Sequence, residues 1–198
     1  ACACGEEEGG KGGDNVASLI MKHLRDRKLL NGKTRKRRNV DMDNCSGQNK
    51  NNFVLRLAPC LQEQKHFVEV HFMFLVVGHA KNVADRLFNA LKRLHRKQNV
   101  FVMKMLLEAM KHEQVVPHAV ECGDFKKWNQ YLDQIYNKMD SVLKWQMFHS
   151  SAEIGVTNFL YKSSNLEGAE TFQDSLQKVR VLGERRKAIL LEEPEPLY

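Results

Sequence analysis

The chain has 198 residues, of which 42% are hydrophobic and 28% charged, with 4 Pro and 12 Gly. That is enough for one domain with a sizeable core, and it excludes a disordered, collagen-like or disulfide-scaffold chain. A net charge of +7 and a pI near 9.2 favour a polyanionic partner, nucleic acid or an anionic membrane surface. The longest apolar run, Phe72 to Gly78, falls far short of the roughly 20 residues that cross a bilayer, and the N-terminus lacks a signal-peptide layout. The expectation is therefore no membrane partner and a soluble, intracellular protein. Five scattered cysteines (Cys2, Cys4, Cys45, Cys60 and Cys122) have no CxxC spacing, which predicts reduced thiols. The start at Ala1 suggests a piece of a longer product or an eroded gene.

Residues 1–13 are rich in Gly and Glu and read as a disordered leader, whose GGKGGDN stretch has neither the preceding strand nor the GKS/T of a phosphate loop. A helix follows with Asp14 or Asn15 as N-cap, an apolar face of Val16, Leu19, Ile20 and Leu24, and a stop at Asn31-Gly32. After the basic run Lys33 to Arg38 comes a short strand, Asn39 to Met42, which points Asp43 into a polar turn. The spacing of Phe53, Leu55, Leu57 and Leu61 predicts a helix over Asn52 to Gln64, kinked or split by Pro59. Val68 to Val77 reads as the strongest strand, apolar enough to be buried on both faces. It closes at Gly78-His79, and an amphipathic helix then runs to about Lys97 with Arg86, Lys92, Arg93, Arg96 and Lys97 on its polar face.

Farther on, the pattern predicts a strand over Val100 to Val102, a helix over Met105 to Lys111 and a strand over Val115 to Val120 broken by Pro117. A helix over Phe125 to Met139 carries Trp128, Leu132, Ile135 and Tyr136 on one face, and strands follow at Val142 to His149 and Thr157 to Lys162. The tail from Asn165 is polar and helix-leaning, with a loose end at Glu192 to Tyr198. The resulting division is a leader (1–13), a core (14–112), an α+β extension (113–164) and a polar tail (165–198). Alternating strands and helices make the core α/β with parallel neighbours.

The chemically informative residues are two acids: Asp43 at a strand end and Asp85 in the first turn of the basic helix. Two-metal phosphoryl transfer needs carboxylates converging from neighbouring element ends. Each acid also has an ordinary reading, Asp43 as a turn former and Asp85 as a partner of the helix dipole. His112, His118 and Cys122 lack the paired spacing of a zinc site, and Trp128, Tyr131 and Tyr136 read as core.

The stretch MDNCSGQNKNNFVLRLAPCL followed by VEVHFMFLVVGHAKNVADRLFNALKR resembles the C-terminal part of an integrase-like domain family encoded by eukaryotic mobile elements. That family's signature is of the DNC-G-QNKN and GHTKN-xx-D type, within the RNase H-like superfamily. The resemblance runs from Gly9 to about Gly168. It implies a partial RNase H-like sheet flanked by helices, with a smaller α+β C-terminal extension. It also implies that Asp43 and Asp85 are the second and third catalytic acids and ligands of Mg2+ or Mn2+, if the site is complete. The first acid belongs to a strand meander for which there is no room before Val16, and Ala80 stands where the motif has Thr. Asp41, two residues before Asp43, shares its face and could in principle add a carboxylate.

A DNA groove around these acids would draw on Arg35, Lys36, Arg37, Arg38, Lys50, His79, Lys81, Arg86 and Arg93. The expected function is a transposon-derived integrase or transposase-like domain whose ancestral chemistry is metal-dependent DNA cleavage and transfer. The alternative is a catalytically inert nucleic-acid-binding or interaction remnant. DNA is the expected partner and a homo-oligomer is allowed for. The run Lys33 to Arg38 also fits a nuclear-import patch.

Overall fold

The computed structural model describes residues 2–3, 12–30, 35–75, 83–97, 99–111, 117–151, 158–162, 172–176 and 192–197. It is a mixed α/β structure with helices packed on a sheet. In chain order the elements are β1 (Cys2–Ala3), α1 (Gly13–Asp26), β2 (Arg35–Met42), α2 (Asn52–Leu55), α3 (Leu57–Glu63) and β3 (Phe67–Phe74). Then follow α4 (Val83–His95), α5 (Met103–Ala109), β4 (His118–Ala119), α6 (Trp128–Asp133), β5 (Met147–Ser151), β6 (Asn158–Lys162) and β7 (Phe172–Leu176).

Five strands form one sheet in the order β2-β3-β5-β6-β7. The pair β2 and β3 is parallel, with Arg37 opposite Glu69 and Met42 opposite Phe74, and β5, β6 and β7 continue as an antiparallel meander. The expected parallel pairing of the first two strands is therefore present. The sheet also runs through the boundaries expected at 112 and 164, because β5 and β6 lie in the extension and β7 in the tail. In the leader, Cys2–Ala3 pairs in parallel with His118–Ala119, so the expectation of disorder over 1–13 does not hold at those two residues.

Strand β2 begins earlier than expected, inside the basic run. It lies at the end of the strand order, which accounts for its polar composition: an edge strand need not bury both faces. Strand β3 was expected to be buried on both faces, but it alternates. Phe67, Val70, Phe72 and Phe74 are buried, whereas Glu69, His71 and Met73 are half-buried. Helix α3 covers the first set, and the edge-to-face contact of Phe74 with Phe148 (centroids 5.7 Å apart) extends the core to β5. The other face stays polar.

The helix expected over Asn52 to Gln64 is split. Pro59 falls in the first turn of α3, where its missing N–H costs nothing, and a continuous helix would put its ring against the Leu55 carbonyl. In α1 the buried residues are Gly13, Asn15, Ala17, Ser18, Met21 and Leu24, and α2 and α6 pack on this helix. Val16 and Ile20 rest half-buried at the rim of the core with Val40 and Met42.

Several elements are shorter or differ from expectation. Helix α6 stops at Asp133, although Ile135, Tyr136 and Met139 beyond it are still buried. Val142–Lys144 is a 3-10 turn before β5. Val100 to Val102 forms no strand, and Val102 is the extended residue that opens α5. Helix α5 packs against α4. The chain end is also anchored, contrary to the loose end expected. Lys127 N–H donates to the Glu195 carbonyl (2.8 Å), Leu197 N–H donates to the Phe125 carbonyl (2.9 Å), and Pro194 is buried.

Candidate functional site

The polar segment after β2 is held together by its own side chains. Asp43 is exposed, and its Oδ1 accepts from the Cys45 backbone N–H (3.0 Å) and from Asn49 Nδ2 (2.6 Å), which makes the turn that reverses the chain. Asn51 caps α2 by accepting from the N–H groups of Phe53 and Val54 at 3.0 and 3.1 Å. Asn52 grips Met139 twice: its Nδ2 donates to the carbonyl at 3.1 Å, and its Oδ1 accepts from the N–H at 2.7 Å. The polar residues of this motif thus build the turn and join it to the segment after α6.

Lys50 is part of the same lock. It is 2% exposed, donates from Nζ to the Leu143 carbonyl at 3.0 Å and lies over the Phe74 ring at 5.7 Å. Burial holds its pKa below the ordinary lysine value. Its expected contact with nucleic acid is corrected by this placement, since the ammonium points into the protein.

Asp85 lies in the first turn of α4, as expected, and its side chain is outside the described residues. His79 and Lys81 lie outside them altogether, and only the backbone of Arg35 and Lys36 is described. Arg37 is exposed on the open face of the sheet and donates from Nε to Glu69 Oε2 at 2.6 Å. Its neighbour Arg38 is half-buried and lines the groove between α1 and β2 with Val16 and Ile20. Arg86, Lys92 and Arg93 on α4 are exposed, as are Arg96 and Lys97 just after it. Asp43 belongs to no group of three ligating side chains among the described residues, and one of its oxygens is already engaged. The Asp85 side chain lies outside the described residues, so of the two acids that the resemblance assigns to Mg2+ or Mn2+ only the Asp43 carboxylate is placed.

Among the described residues, a convergent cluster lies on the open sheet face. Glu69 and His71 are two residues apart on β3, and the register puts His149 of β5 directly opposite His71. The two imidazoles stack with centroids 4.1 Å apart and planes 16° from parallel. One ligating atom from each of the three residues lies within 4.8 Å of the others. His71 Nε2 is 3.2 Å from Glu69 Oε2, and the Arg37 guanidinium first, then His71, hold the Glu69 carboxyl below its ordinary range. A cavity of about 240 Å3 opens over the imidazoles, lined also by Asn39, Asp41, Met73 and Met147. The sequence reading missed this cluster. The alternation in VEVHF places Glu69 and His71 on one face, but only the β3–β5 register brings in His149.

Taken together, fold and site define a mixed α/β domain with a basic edge strand and one open polar sheet face. The chain belongs to the family described as a domain of unknown function, DUF7869, whose model matches residues 10–166. No curated protein and no solved structure matches the chain.

Proposed function

We propose that this chain is a nucleic-acid-binding domain of mobile-element origin, descended from an RNase H-like integrase or transposase and holding duplex DNA through its basic surfaces. The observation that carries this reading is the placement of positive charge. Arg37 is exposed on an edge strand that starts inside a basic run, and α4 exposes Arg86, Lys92 and Arg93 along its length. Such a distribution suits phosphate neutralisation, which needs charge spread along elements and no particular base contact. The integrase-type motifs support the mobile-element origin. A nuclear location and a homo-oligomer accord with this reading and add nothing to its support.

The inert form of this function is favoured over an active one by Asp43, whose Oδ1 already accepts two hydrogen bonds as a turn former. In an active form, Asp43 and Asp85 would hold Mg2+ or Mn2+ for strand cleavage and transfer. Binding to a short duplex, followed by fluorescence polarisation across a salt series, tests the reading. Affinity should vary little with sequence and fall steeply with salt. Changing Arg35, Lys36, Arg37 and Arg38 together to Gln should flatten the slope of log K against log salt by about 0.9 for each phosphate that is no longer neutralised. Salt-independent binding, or none at low salt, overturns the proposal.

A further inference from the structure

We infer that Glu69, His71 and His149 form a binding site for a divalent transition-metal ion of the zinc type, on the open face of the sheet and separate from the two motif acids. The juxtaposition is set by the backbone: two ligands at alternate positions of β3 and a third opposite one of them on β5. Strands hold such positions rigidly, so little chain entropy is lost on binding. Tetrahedral Zn2+ with Zn–N bonds of about 2.0 to 2.1 Å needs ligand nitrogens about 3.3 Å apart. The ligating atoms already lie within 4.8 Å of one another, so binding asks for a closure of about 1.5 Å, the scale of a side-chain rotation.

The donor set selects the ion. Two imidazoles and one carboxylate suit Zn2+, Cu2+ or Ni2+, and they offer too little oxygen for Mg2+. Met73 and Met147, a register pair next to the two histidines, line the same cavity and add polarisable thioethers. Arg37 donates to Glu69 Oε2, the oxygen that lies 3.2 Å from His71 Nε2, the kind of supporting contact that orients a ligating carboxylate. With three protein ligands, the fourth position opens into the 240 Å3 cavity.

The test is a Zn2+ titration of the full chain in competition with a chromophoric chelator. One ion per chain should bind, and His71→Gln and His149→Gln should each weaken it about tenfold or more. His118→Gln and Cys122→Ser should leave the affinity unchanged, and Mg2+ should not compete. Equal affinity in the His71 and His149 variants, or a loss confined to the His118 and Cys122 variants, overturns the assignment. Should a histidine variant fail to fold, 15N NMR of the unaltered protein decides: Zn2+ must shift the ring resonances of His71 and His149, and unmoved rings refute the site.

Discussion

Lys50 shows most directly what a single side chain contributes. Burying an ammonium costs several kcal/mol, and one carbonyl at 3.0 Å with one ring face offsets only part of that. Its pKa lies below the ordinary 10.5 because of burial, so between the lowered value and 10.5 the unfolded chain holds a proton that the fold does not. Stability therefore rises with pH through that window and levels off above it. Replacing the residue by Met removes both the desolvation cost and this dependence. Urea unfolding of Lys50→Met should show stability within about 1 kcal/mol of the parent at pH 7, or higher, and no rise towards pH 10. DNA affinity should not change, since the ammonium never faces solvent. A fall of several kcal/mol would mean that the buried charge is a net stabiliser.

At the scale of elements, α1 and α6 are joined by side chains that act at a distance. Asp14 Oδ1 accepts from the Asn129 N–H at 2.6 Å, and Ser18 Oγ accepts from the Lys126 N–H at 2.9 Å, so α1 supplies the cap that α6 lacks locally. Asp14→Ala should destabilise the fold by about 1 to 2 kcal/mol, measured by chemical denaturation, and a silent variant would show that water caps α6 equally well. The sequence places Asp14 near a helix start but cannot say which helix it serves, because Asn129 is distant in the chain. The same limit explains the other differences. Local signals suffice for a helix split by Pro59, with the break at Arg56, and for the presence of β3, whereas partners that only the fold brings together do not show. His149 beside His71, the pairing of Pro196 with Lys126 and the inward turn of Lys50 all belong to that second kind. Asp43 was legible as an acid at a strand end, and its use as a turn former rests on Asn49 and the Cys45 N–H nearby.

For the whole molecule, the sheet and the core are shared across the expected domain boundary. Trp128, Tyr136 and Phe148 belong to the same buried cluster as Leu24, Leu57 and Phe72, and β5 covers the edge of β3. A fragment of residues 14–112 should therefore fail to give a cooperative unfolding transition, whereas a stably folded fragment would show that the later segments only decorate a complete core. The same integration bears on catalysis. The turn at Asp43 is tied through Asn52 to Met139 and through Lys50 to Leu143, so its carboxylate is fixed in the turn and is not free to follow an ion. With Oδ1 accepting two hydrogen bonds, Asp43 has one oxygen left for an ion, whereas in-line displacement needs both ions of a pair clamped. Incubating the chain with supercoiled and linear DNA in Mg2+ or Mn2+ should give strand cleavage at background level, and Asp43→Asn should leave that background unchanged. Its effect should fall on stability instead, about 1 kcal/mol from the weakened turn. Robust cleavage abolished by Asp43→Asn would reverse the conclusion and make Asp41, which is exposed on the same edge strand, the first residue to test as the missing ligand.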